Sequence, residues 1–145
     1  MWNLKYGKEN LKERQANILK KFDDSSVFIE LKKRNVTLDD LAAFTAVNKV
    51  EFALFTKGKN VILVKGRSGS CDIPAHLLER LLNEKWIFTG HSHPTTVNLK
   101  PSNADKIVLK LFTWQKESSI IDLTGNITKY TSNEQDWYND LLGVK

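Results

Sequence analysis

Hydrophobic and polar positions along this chain alternate between a helical and an extended rhythm. Leu11, Ile18, Leu19 and Phe22 recur among charges and predict an amphipathic helix from about Lys8 to Phe22, with weak start and stop signals. Val27 to Leu31 is a short strand candidate. Thr37-Leu38-Asp39-Asp40 puts a hydroxyl cap ahead of first-turn carboxylates, opening a helix to about Asn48. Two β-rich runs, Val50 to Thr56 and Val61 to Lys65, flank Lys57-Gly58-Lys59-Asn60 and predict an antiparallel hairpin, with Glu51 at the start of its first strand.

The second half repeats the alternation. Asp72-Ile73-Pro74 opens a helix ending near Glu84, with proline at its first position and Leu77, Leu78, Leu81 and Leu82 as its apolar face. Trp86 to Thr89 reads as a buried strand whose end delivers His91 and His93. Ser102 caps a helix from Asn103 to about Trp114, with Asp105 at its third position. Ser119 to Leu123 and Asn126 to Tyr130 predict a second hairpin around Thr124-Gly125, and Glu134 to Leu142 a short terminal helix. Trp86, Phe88, Phe112 and Trp114 are expected in the core, whereas Trp137 and Tyr138 are candidates to cover an edge or meet a partner.

Length and composition narrow the class. The chain has 145 residues, 41% of them apolar and 27% charged, which fits one folded domain with one core and is too apolar for disorder. Neither a membrane-length apolar run nor a secretory signal core is present, and the lone Cys71 cannot form an internal disulfide. A reducing, cytoplasmic setting is therefore expected. The net charge of +5 comes from lysines spread through the chain. Its short clusters, Lys20-Lys21 and Lys32-Lys33-Arg34, lack interleaved aromatics and read as solvated surface rather than a nucleic-acid footprint.

The chemistry concentrates in Gly90-His91-Ser92-His93-Pro94, with Ser102 and Asp105 downstream and Glu51 forty residues upstream of His91. Two histidines at i and i+2 on extended backbone can reach one metal, and Asp105 supplies a third ligand. Three protein ligands leave one tetrahedral position open, the mark of a catalytic zinc site, and a single cysteine excludes a closed cysteine site. Taken singly, each residue has a plainer reading: Ser102 and Asp105 as a helix cap and its partner, the histidines as hydrogen-bonded strand residues. Cap and catalyst are compatible, because a helix N-terminus beside the histidines points backbone N–H groups toward a developing oxyanion. His76 reads as a surface or cap residue, and Cys71, in a polar loop without a histidine beside it, as a non-nucleophile.

Glu51, then Gly90-His91-Ser92-His93-Pro94, then Ser102-Asn103-Ala104-Asp105 closely resembles the JAMM motif of JAB/MPN metallopeptidases: a distal Glu, His-x-His-Pro, and Ser-x-x-Asp. The resemblance spans about Val50 to Trp114. It departs in one respect: eight residues separate His93 from Ser102 where the family usually has seven, so the loop from Pro94 to Pro101 must bulge by one. The resemblance implies an α/β fold, a single JAB/MPN-like domain with a mixed, mostly antiparallel sheet flanked by helices. Residues 37–131 would form its motif-bearing core, 1–36 an N-terminal helix and strand, and 132–145 a C-terminal helix.

It further implies that His91, His93 and Asp105 hold one Zn2+, that Glu51 is general base and then acid, and that Ser102 donates to the oxyanion. The expected reaction is amide or isopeptide hydrolysis, with a ubiquitin-like protein's extended C-terminal tail as substrate. The Val61 to Cys71 region and loop 94–101 would flank that tail, and edge-strand addition would bind it. Three rivals differ in class: a catalytically silent interaction module of the same fold, against which the intact ligands argue; a DNA-associated module using the basic surface; and another metal hydrolase such as a phosphoesterase.

Overall fold

The computed structural model describes residues 11–22, 26–95 and 100–132. The expected terminal helix with Trp137 and Tyr138, the start of the first helix, and positions 96–99 of the loop before Ser102 lie outside them.

The described chain runs α1 (Glu13–Lys20), β1 (Phe28–Lys32), α2 (Leu38–Asn48), β2 (Phe52–Lys57), β3 (Asn60–Lys65), α3 (Ala75–Asn83), β4 (Ile87–Ser92), α4 (Asn103–Leu111), β5 (Glu117–Ile121) and β6 (Ile127–Thr131). The six strands form one mixed sheet in the order β1-β3-β2-β4-β5-β6. Only β4 and β5 pair in parallel. The α/β class with a mostly antiparallel sheet is therefore as expected.

The period-two side-chain alternation divides the core into two layers. Phe52, Leu54, Val61 and Leu63 meet α1, the turn that follows it and α2 through Ile18, Phe22, Leu41 and Phe44. Ala53, Phe55, Ile62 and Val64 point the other way, toward Leu77 and Leu81 of α3 and Leu109 of α4. With helices on both faces, β2 and β3 are buried on both sides, which explains their continuous apolar runs. Helix α2 is buried almost all round, from Leu41 to Ala46, because it lies between the sheet and α1. Asp40 joins those helices: it accepts from Arg14 at 2.8 and 2.9 Å, from Gln15 at 2.7 Å and from the Thr37 N–H at 2.9 Å. Burial opposes ionisation of this carboxylate, but its four donors, Arg14 foremost, hold it below the usual range.

Several boundaries differ from those expected. Pro74 is the N-cap of α3, not its first helical residue: its carbonyl accepts from Leu78 N, while ψ of 139° keeps it extended. Helix α4 stops at Leu111, short of Trp114, because Phe112 turns out of the helix and packs its ring against Phe55 and Phe88. The last hairpin has a wider turn, since Asp122 Oδ1 accepts from Thr124 N at 2.9 Å and Asn126 N at 3.0 Å. Trp86, Phe88 and Phe112 are buried as expected, and the Trp114 indole donates to Trp86 O at 2.8 Å. No helix among the described residues is long and apolar enough to cross a membrane.

Candidate metal centre

Strand β4 extends beyond its expected end at Thr89, through Ser92. His91 therefore lies inside the sheet, opposite Ala53 of β2 and Ile120 of β5. His93 follows directly, its N–H donating to Ile121 O at 3.0 Å. A register shift makes this strand serve both core and site: Phe55 pairs with Phe88, but Leu54 pairs with Gly90, leaving Thr89 as an extra residue. Without that bulge, Phe88 and His91, three apart, would face opposite sides. With it both point toward α3 and α4, and their rings stack at 5.7 Å.

Ser92 points to the other layer. Its Oγ meets Thr45 Oγ1 of α2 at 2.5 Å and accepts from Phe52 N at 2.9 Å. Gly90 also faces α2, where a Cβ would stand 2.6 Å from Leu38 Cδ1 and 2.9 Å from Ser119 O.

Glu51 lies one residue before β2 rather than within it. Its backbone is nevertheless clamped: Glu51 N donates to Arg67 O at 2.8 Å and Gly66 N to Glu51 O at 2.7 Å. Asp105 comes from the first turn of α4, where its N–H donates to Ser102 Oγ at 3.1 Å and its Oδ2 accepts from Ser102 N at 2.8 Å. This reciprocal capping box holds the carboxylate at the helix mouth. The Ser102 oxygen uses a lone pair in the cap, so its hydroxyl hydrogen remains available to another acceptor.

The fold thus brings Glu51, His91, His93 and Asp105 together, with one ligand atom from each lying within 4.8 Å of all the others. His91 Nε2 and His93 Nε2 are 3.1 Å apart, and Asp105 Oδ2 lies 3.2 Å from the first and 3.3 Å from the second. Protons alone serve this triangle poorly, since each Nε2 has one in-plane hydrogen or lone pair and cannot bond two neighbours well. A single cation would satisfy all three atoms together. Tetrahedral ligands held about 2.0–2.1 Å from a metal stand about 3.3 Å from one another, close to the edges observed here.

The electrostatics separate the two carboxylates. Burial pushes Glu51 up to about 7, with His93 opposing and Asp105 and Asp72 reinforcing the rise. Burial also penalises charge on Asp105, but hydrogen bonds from both histidines and Ser102 N outweigh it and hold this group well below the carboxylate range.

Ser102 and Asp105 line one wall of a cleft of about 240 Å³, with Ala104 and Val108, while residues from Gly69 to Ile73 line the facing wall. Of the segment Val61 to Cys71 expected to flank the site, only Gly69 to Cys71 line this cleft, and Val61 to Val64 are buried in β3; Cys71 is at its edge. Its thiol is pushed upward by burial and by the charges of Glu51, Asp72 and Asp105, and so stays protonated. His76 is exposed on α3 beside Phe28 and outside the cluster. The pattern of residues along the chain singled out neither Ser92 as a tie to α2 nor Tyr130, whose ring stands edge-on to His91 at 5.8 Å. Both roles depend on register, and the alternating pattern marks only that these positions are inward. Comparison with known proteins finds no matching family model, no matching curated protein and no matching solved structure.

Proposed function

We propose that this chain is a zinc-dependent metallopeptidase of the JAB/MPN type that hydrolyses an amide or isopeptide bond at the C-terminal tail of a ubiquitin-like protein. The observation that carries the reading is the convergence of two Nε2 atoms and one carboxylate oxygen at mutual distances of 3.1–3.3 Å, with Glu51 beside them.

His91, His93 and Asp105 would hold the ion, and Zn2+ in such a site supplies an acidified water and polarises the scissile carbonyl. Glu51 takes the proton of the attacking water and delivers it to the leaving amine nitrogen. A buried carboxylate beside the ligand cluster is placed for both transfers. Ser102 donates its free hydroxyl hydrogen to the oxyanion, and the cleft beside it receives the chain flanking the scissile bond.

The test has two stages. Purified protein prepared without chelator is expected to carry about one zinc per chain by elemental analysis. Fusions bearing a ubiquitin-like C-terminal tail are then expected to be cleaved by the wild type and not by Glu51→Gln. No zinc, bound or taken up on addition, would sink the metal centre; zinc without cleavage of any such fusion would leave a metal-binding interaction module.

A polyanion-binding role has one specific observation in its favour. Lys32, Lys33, Arg34 and Lys59 line a single concavity. In the strand register it lies at the turn end of β2 and β3, away from His91. Strongly salt-dependent binding to duplex DNA would favour that role.

A further inference from the structure

Each histidine in the cluster has a second ring nitrogen, and that of His91 is left over. Among the described residues, His91 Nδ1 and Tyr130 Oη are the two buried side-chain polar atoms without a hydrogen-bond partner. They belong to neighbouring rings. Tyr130, on β6, reaches across β5 to stand edge-on to His91, with ring centroids 5.8 Å apart and an interplanar angle of 85°. Both residues are almost wholly enclosed, at 2% exposure for His91 and 6% for Tyr130.

Their hydrogen-bonding capacities are complementary. If Nε2 of His91 offers its lone pair to a cation, the ring proton must sit on Nδ1, which then needs an acceptor. A phenol oxygen can accept. Leaving a buried donor and a buried acceptor separately unsatisfied, one ring apart, is the costly arrangement. A buried water linking two such groups normally finds a third polar partner; Ser118 neighbours Tyr130 in the β5–β6 register, and its Oγ, which donates to Phe88 O at 2.8 Å, keeps a lone pair to accept from such a water.

We propose that Tyr130 is a positioning residue for His91, a buried water accepting from Nδ1–H and donating to the Tyr130 hydroxyl oxygen and so fixing the tautomer and ring angle that turn Nε2 toward the metal. The inference rests on the metal-centre reading above. It names a group on the far side of the ring from the ion, one that touches neither metal nor substrate.

Tyr130→Phe removes one oxygen and keeps the ring. The variant is expected to bind zinc about 10–100-fold more weakly, the usual effect of removing an outer partner of a ligating histidine. In imidazole nitrogen NMR spectra of zinc-loaded protein, wild-type His91 is expected as the Nδ1–H tautomer with a slowly exchanging proton, and the variant with a fast-exchanging one. Unchanged zinc affinity and proton exchange in Tyr130→Phe would overturn the proposal; a gain in stability alongside would mark the hydroxyl as merely buried. Failure of the wild type to bind zinc defeats the metal centre and the Tyr130 role with it, whereas zinc binding without this tautomer, or with one that Tyr130→Phe leaves unchanged, defeats the Tyr130 role alone.

Discussion

Ser92 Oγ lies 2.5 Å from Thr45 Oγ1, tying the residue between the two cluster histidines to a helix on the opposite face of the sheet. The same Oγ accepts from Phe52 N, so one buried hydroxyl joins α2, β2 and β4. His91 and His93 are aimed one way because the residue between them is anchored the other way.

Ser92→Ala therefore leaves Phe52 N and Thr45 Oγ1 without a buried partner. The expected loss is about 1–3 kcal/mol of stability, measured by chemical denaturation of metal-free protein, with weaker zinc uptake.

Asp105 carries two duties, which substitution can separate. Asp105→Asn keeps an oxygen for Ser102 N and is expected to hold the helix start while losing most bound metal. Asp105→Ala also removes the acceptor for Ser102 N, leaving only the Asp105 N–H to Ser102 Oγ half of the capping box, and is expected to cost about 1 kcal/mol more. Elemental analysis beside thermal unfolding reads both effects; equal metal content in wild type and Asp105→Asn would remove Asp105 from the ligand set.

Glu51 gives a pH dependence of definite sign in the metal-free protein. Its ordinary value of 4.5 rises to about 7 on folding, so between these pH values the folded state binds more protons than the unfolded one. Stability contributed by this group is full below about 4.5 and is lost as pH climbs to about 7. Glu51→Gln should therefore be more stable than wild type at pH 8, by roughly 1–3 kcal/mol, with the advantage fading toward pH 4.5. A saturating metal ion, by favouring the carboxylate, should shrink the difference, and denaturation curves across pH with and without zinc test both.

Gly90→Ala places a methyl group against Leu38 and the Ser119 carbonyl, and the second contact is with backbone that cannot move cheaply. A loss of about 1–3 kcal/mol is expected, with reduced zinc affinity because β4 must shift. Gly69→Ala, with nothing within 4 Å of its new Cβ, is the matched control and should leave both nearly unchanged.

The clustering of His91, His93 and Asp105 was legible in the sequence because they lie close along the chain and the capping box dictates where Asp105 points. Glu51 was visible only through the family resemblance: from composition alone it is an ordinary carboxylate at a strand start. Helix α2 and the first hairpin were readable from Thr37 and Gly58. Less legible was whatever depends on neighbours distant in sequence. Phe112 leaves its helix for a ring stack, β4 gains residues because β2 and β5 are there to pair with them, and Tyr130 reads as one aromatic in a strand. The Thr89 bulge has no local signature, since it becomes necessary only when Phe88 and His91 must share a face.

That extra residue divides β4 into two independently numbered halves. Side chains up to Phe88 answer to the packing of Phe55 and Phe112, and those from Gly90 onward answer to the ligand triangle, with Thr89 absorbing the odd count. Thr89 Oγ1 meets Thr56 Oγ1 at 2.6 Å, pinning the joint to the adjacent strand. Deleting Thr89 would rotate everything after it by half a turn, sending both imidazoles toward α2 and the Ser92 hydroxyl into the cleft. The strand works as a keyed coupling: a single inserted residue puts the imidazoles on the face of the aromatic core, where Phe88 backs His91.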